Sequence, residues 1–213
     1  MLNADDQRDA RLDDDDDDDE HDGAGKKGKK GSRLEDKLLD ARTLIIADEV
    51  SDTLYRRIAT LLTLLERKDR KAPITAFVNS PGGSADSGFA IYDLFRFSPC
   101  PITTVANGVV ASAAVLIYLG APQGRRVSLP NARFLLHQPS TATRGQATDI
   151  DITAREIAKL RHRYNEVVAE ATGKTVAVVE KDSDRDFWLS AQEAADYKLV
   201  NRILTSRAQL EEL

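Results

Sequence analysis

The chain has 213 residues, 41% hydrophobic and 31% charged, with a net charge of −5, enough for one well-buried soluble domain plus an appendage. One cysteine, Cys100, excludes a disulfide framework within the chain, and no run of eighteen apolar residues offers a membrane span. Nothing in the composition points to nucleic acid or to a membrane as partner, and the expected location is the cytoplasm.

The charge is unevenly placed. Residues 1–22 carry twelve acidic side chains against Arg8 and Arg11, a net of −10, so residues 23–213 hold about +5. The acidity belongs to a tail rather than to the folded body. Seven consecutive aspartates followed by "EHDGAGKKGKKGS" cannot bury apolar surface, and like charges repel, so disorder is expected over 1–32 and a folded domain over 33–213. "KKGKK" is a weak nucleic-acid signal, because the neighbouring Asp run repels phosphate.

Strand-like and helix-like patterns alternate from there. "TLIIAD" (43–48) is a β-branched run, and in "DTLYRRIATLLTLLERK" (52–68) Leu54, Ile58, Leu61, Leu62 and Leu65 recur at helical spacing. "ITAFVN" (74–79) reads as a strand, "SPGGS" as a turn, "GFAIYDLFRF" (88–97) as a helix and "ITTVAN" (102–107) as another strand. "NGVVASAAVLIYLGA" (107–121) then reads as a buried small-residue helix with Ser112 in its first turn. "RRVSL" and "RFLLH" are two further strands around the turn "PNA". A long helix over roughly 148–172 carries the stripe Ile157, Leu160, Tyr164, Val167, Val168 and Ala171, and a closing helix and strand run through "SAQEAADYKLVNRIL".

This alternation predicts an α/β fold with a largely parallel sheet, whose functional residues gather beyond the carboxyl ends of the strands. Those ends are Asn79 to Gly83, Asn107-Gly108 and His137. Of three histidines, His21 lies in the acidic tail and His162 among the charges of the long helix, which leaves His137 as the candidate general base. Ser112 at a helix start has free backbone N–H groups beside it, where developing negative charge is favoured. The glycine pair Gly82-Gly83 lets backbone approach a substrate with no Cβ in the way. An acid to orient the imidazole is available as Asp182, Asp184 or Asp186, and spacing does not choose among them.

"FVNSPGGSADSGFAIYDLF", "GVVASAAVLIYLGAPQGRRVSLPNARFLLHQPS", "GQATDIDITAREI" and "DSDRDFWLSAQEAADYKLVNRIL" together resemble the ClpP family, the proteolytic subunit of the Clp protease, from about Thr43 to Thr205. The resemblance implies a crotonase-like spiral of ββα units and a serine endopeptidase acting on unfolded polypeptides. It puts the nucleophile at Ser112, the general base at His137, the orienting acid at Asp186 and the oxyanion donors at the backbone N–H groups of Gly83 and Ala113. It also implies two stacked seven-fold rings, with the long helix making the ring–ring contact and Gln146, Asp184 and Arg185 coupling that contact to the site. No cofactor is expected in this chain, since a partner AAA+ unfoldase uses the ATP. A paralogous subunit sharing the ring, with this chain as a weak or inactive scaffold, is the alternative. Two departures stand out: the family's usual Met-Gly after the serine is Ala113-Ala114, and the N-terminal segment matches only loosely.

Overall fold

The computed structural model describes residues 36–139, 142 and 144–213. The expectation of disorder over 1–32 lies outside the described residues. From Lys37 onward the chain is one compact unit.

Strand β1 (Thr43–Ile46) leads to helix α1 (Asp52–Lys68). The helix is capped by Ser51, whose hydroxyl accepts from the Leu54 N–H. Asp52 in its first turn and Arg67 and Lys68 in its last complement the helix dipole. Leu54, Ile58, Leu62 and Leu65 form its buried stripe. Strand β2 (Ile74–Ser80) and helix α2 (Ala85–Phe97) follow, the latter capped by Ser84 and begun three residues before the expected start.

Strand β3 (Ile102–Ala111) is longer than its sequence suggested: Asn107-Gly108 lies inside it, and "GVVA" is strand rather than helix. Gly108, at φ 95°, allows this strand to change partners along one edge. Its first half pairs with β4 (Arg126–Ser128) and its last residues with β5 (Arg133–Leu136). Helix α3 is therefore short, Ala113–Leu119, and every residue in it is buried.

The long helix α4 spans Ala147–Thr172, followed by α5 (Val176–Asp182), β6 (Phe187–Ser190), α6 (Ala191–Asp196), β7 (Arg202–Ile203) and α7 (Ala208–Glu211). Strands β1-β2-β3-β4-β7 form a parallel path. Strand β5 lies parallel beside β3 and takes β6 as an antiparallel edge. The sheet is largely parallel, as expected, with helices packed onto it around one main core. Strand β6 carries the aromatics Phe187 and Trp188, the latter exposed with the Arg133 guanidinium over its ring.

The stripe on α4 divides. Tyr164 and Val168 are buried in the body, and Leu160, Val167 and Ala171 pack against it. The N-terminal half leaves Ile150 and Ile152 exposed and is begun by Gln146, which is exposed and makes no side-chain cap.

Candidate active site

The carboxyl ends of β2, β3 and β5 converge on a cavity of about 430 Å³. Ser112, Ala113, Gly83, His137 and Asp86 line it, and Ile157, Leu160 and Tyr164 of α4 form an apolar wall.

Ser112 sits at the junction of β3 and α3 with φ 56° and ψ −123°, a conformation that non-glycine residues rarely hold. Three contacts keep it there. Its N–H donates to the Leu135 carbonyl at 2.9 Å, its own carbonyl accepts from Val115 at 2.9 Å, and the Tyr164 hydroxyl lies 3.5 Å from the same carbonyl. Burial pushes the Tyr164 phenol well above its ordinary pKa, so it stays protonated and serves as donor. The sharp strand-to-helix turn lifts the serine side chain out of the sheet, as in a nucleophile elbow.

Gly82 and Gly83 are required by contact rather than by turn chemistry alone. At Gly82 (φ 94°) a Cβ would meet the Ala111 carbonyl oxygen at 2.6 Å and the Ser112 Cβ at 2.7 Å. At Gly83 (φ 142°) one would meet the Val50 carbonyl oxygen at 2.4 Å. Val50 donates to the Gly82 carbonyl at 2.7 Å and accepts from Ser84 at 2.8 Å, a parallel bridge that leaves the Gly83 N–H turned away from it. Among the described residues neither the Gly83 N–H nor that of Ala113, the first residue of α3, donates to a protein acceptor. The pair Ala113-Ala114 fits without disturbing the helix: both residues are buried, and Ala113 lies against Gly88 of α2, where a Cβ would come within 3.2 Å of the Ala113 methyl.

His137 follows β5, and its Nδ1 lies 3.3 Å from Asp186 Oδ1. The pair is open to water: the side chains are 31% and 65% exposed. The three aspartates that spacing left open have different partners. Asp186 meets His137, Asp184 accepts from Gln138 at 2.8 Å, and Asp182 accepts from the Tyr197 hydroxyl at 2.8 Å. No hydrogen bond joins Ser112 to His137 in this structure, although both line the cavity. Arg185 lies 4.0 Å from Asp184, while Gln146 has no side-chain hydrogen bond within the described residues. His162 is paired with Glu166 on the exposed side of α4.

One expected strand end drops out. Asn107-Gly108 lies at the opposite side, in a groove with Phe77, Leu129 and Leu204, because β3 runs on past it. The Asn79 carboxamide accepts from Val109 at 2.9 Å there, bracing the point at which β3 changes partner.

The chain that carries this site is similar to known proteins over most of its length. The Clp protease family model matches residues 26–207. The chain belongs to the Clp protease family. A Rhizobium etli protein named ATP-dependent Clp protease proteolytic subunit 3 is 46% identical over 180 residues, 84% of this chain and 92% of the relative. A Gluconobacter oxydans proteolytic subunit 2 is 49% identical over 182 residues, 84% of this chain and 81% of the relative. The solved structure of the ClpP1 N165D mutant from Listeria monocytogenes, 42% identical, superposes with a TM-score of 0.77 over 83% of this chain and 99% of that one. The fold is that of ClpP, and the chain is a serine peptidase of the Clp type. Among the described residues no helix is long and apolar enough to cross a membrane, and no group of His, Cys, Asp and Glu is placed to hold a metal ion.

Proposed function

We propose that this Clp-type peptidase cleaves unfolded polypeptides with Ser112 as nucleophile, His137 as general base and acid, and Asp186 as the group that fixes the imidazole. The observation that carries the reading is the 3.3 Å pairing of His137 Nδ1 with Asp186 beside the cavity that holds the strained Ser112. The pairing leaves Nε2 for the serine proton. Ser112 Oγ attacks the carbonyl carbon as its proton passes to His137, and the N–H groups of Gly83 and Ala113 hold the oxyanion. Collapse of the tetrahedral species breaks the C–N bond, and His137 returns the proton to the leaving amine. Water then hydrolyses the acyl-enzyme by the same route, restoring Ser112. The Ser112–His137 hydrogen bond forms when substrate closes the gap.

The relatives are named as subunits of an ATP-dependent protease, which supports an AAA+ unfoldase as partner and ATP use outside this chain. We place the chain in two stacked heptameric rings, alone or with a paralogous subunit, in the cytoplasm. The projecting half of α4, with Ile150 and Ile152 exposed, makes the ring–ring contact, and Gln146, Asp184 and Arg185 couple it to the site. Ser112→Ala is expected to abolish cleavage of an unfolded protein and labelling by a fluorophosphonate; labelling that survives in this variant overturns the assignment.

A further inference from the structure

We propose that Arg161 of α4 is a positioning residue for the His137–Asp186 pair, acting through Gln138. The inference rests on the triad reading above.

Two bridges join the end of β5 to the turn after α5. The first is His137 to Asp186 at 3.3 Å. The second runs beside it, one residue along on one side and two residues back on the other: Gln138 Nε2 donates to Asp184 Oδ1 at 2.8 Å. Together they close a ring of covalent and hydrogen-bonded links, His137–Gln138–Asp184–Arg185–Asp186–His137. An exposed carboxylate and imidazole are poorly restrained by packing, so the second bridge limits how far the turn can swing.

A carboxamide can lie either way round, and only one orientation serves here. Arg161 Nη1 donates to Gln138 Oε1 at 3.0 Å, which turns the amide nitrogen toward Asp184. Arg161 is itself fixed, because its Nη2 is paired with Glu180 of α5. The guanidinium thus presents one nitrogen to each partner, which a planar fork does well and a single flexible ammonium does less well. The line Glu180–Arg161–Gln138–Asp184 ties α4 and α5 to the loop carrying Asp186 and to the residue beside His137. None of these side chains lines the cavity, so their effect reaches the chemistry only through the geometry of the pair.

Misplacing a catalytic group by about an ångström costs on the order of a hundredfold, and a partial loosening less. Arg161→Met, which keeps the aliphatic stem, is expected to lower kcat for a short peptide about tenfold, with KM changed by less than about twofold. The rate of fluorophosphonate labelling should fall by a similar factor. Thermal midpoint and assembled mass should match the parent protein. Arg161→Lys should restore part of the rate, and Gln138→Met should reproduce the loss. In a double-mutant cycle, Arg161→Met and Gln138→Met combined should cost no more than the worse single change.

Wild-type kcat in Arg161→Met, a loss confined to KM, or additive losses in the cycle would overturn the proposal. If Arg161→Met fails to assemble, Gln138→Met alone decides: a soluble, assembled variant of unchanged kcat overturns it. Failure of the triad reading is separate, since it appears as labelling that survives Ser112→Ala whatever Arg161 does.

Discussion

The two halves of the site are built differently. Gly82, Gly83, Ser112 and Ala113 are held by steric contact: Gly82 touches Ser112 so closely that a methyl has no room, and Ala113 is buried against α2. His137 and Asp186 are open to water and paired to each other, and a polar line of side chains joins the residues beside them. In the proposed mechanism the backbone donors of the first half need no adjustment because packing fixes them, and fixed donors are the most effective for a developing oxyanion. In that mechanism the base must accept and return a proton, and hydrogen bonds allow that while packing would hinder it. The difference predicts that damage to the first half costs both activity and stability, and damage to the second costs activity alone.

Asp186→Asn tests the polar half and has the largest expected effect in this comparison. Losing the carboxylate leaves the imidazole in the wrong tautomer, with a fall in kcat of about 10³ to 10⁴. Because the His137–Asp186 contact is open to water, the thermal midpoint should stay close to that of the parent. Steady-state kinetics beside a melting curve checks both, and a large drop in midpoint would erase the distinction between the halves.

Gly82→Ala tests the packed half. The new Cβ would lie 2.6 Å from the Ala111 carbonyl oxygen at a φ of 94°, so the backbone under Ser112 must move. Strain of this kind costs about 1–3 kcal/mol, and displacing the serine and the Ala113 N–H costs about a hundredfold in kcat/KM. Here activity and midpoint should fall together. A variant that keeps its midpoint while losing its rate would mean the glycine serves chemistry without serving packing.

The same division explains what the sequence made legible. His137 was reachable because the other two histidines lay in an acidic tail and a charged helix face. Ser112 was reachable because a hydroxyl stood among alanines and valines at the start of a helical run. The choice among Asp182, Asp184 and Asp186 rested on family resemblance, since two-residue spacing puts each within reach and only the fold assigns Tyr197, Gln138 and His137 to them. The meeting of Gln138, Arg161 and Glu180 is not legible in the sequence, because it depends on how α4 packs beside the end of β5. The error at Asn107-Gly108 has a physical cause. Asn-Gly is strong turn chemistry, yet at this point Gly108 lets β3 bend between two partners and continue, and the Asn79 carboxamide secures the kink.

The smallest effect is expected just beyond the polar half, where β6 enters α6. Ser190 and Glu193 form a capping box: the Ser190 N–H and hydroxyl both donate to the Glu193 carboxylate, at 2.8 and 2.7 Å, and the Glu193 N–H returns a bond to the Ser190 hydroxyl at 3.3 Å. The bond from the Ser190 N–H, and then that from its hydroxyl, hold the carboxyl below its ordinary value of 4.5. A folded-state pKa below the unfolded one contributes stability that is present above the ordinary value and is lost as pH falls through the lowered one. Glu193→Gln keeps an acceptor but no titrating charge. Its midpoint should lie slightly below that of the parent at neutral pH, and the two should converge in acid once the carboxyl is protonated. The Glu193→Gln protein should keep the parent's kcat, because the capping box steadies the strand paired to β5 without reaching the His137–Asp186 pair. A clear loss of rate at neutral pH would instead extend the polar half of the site into α6.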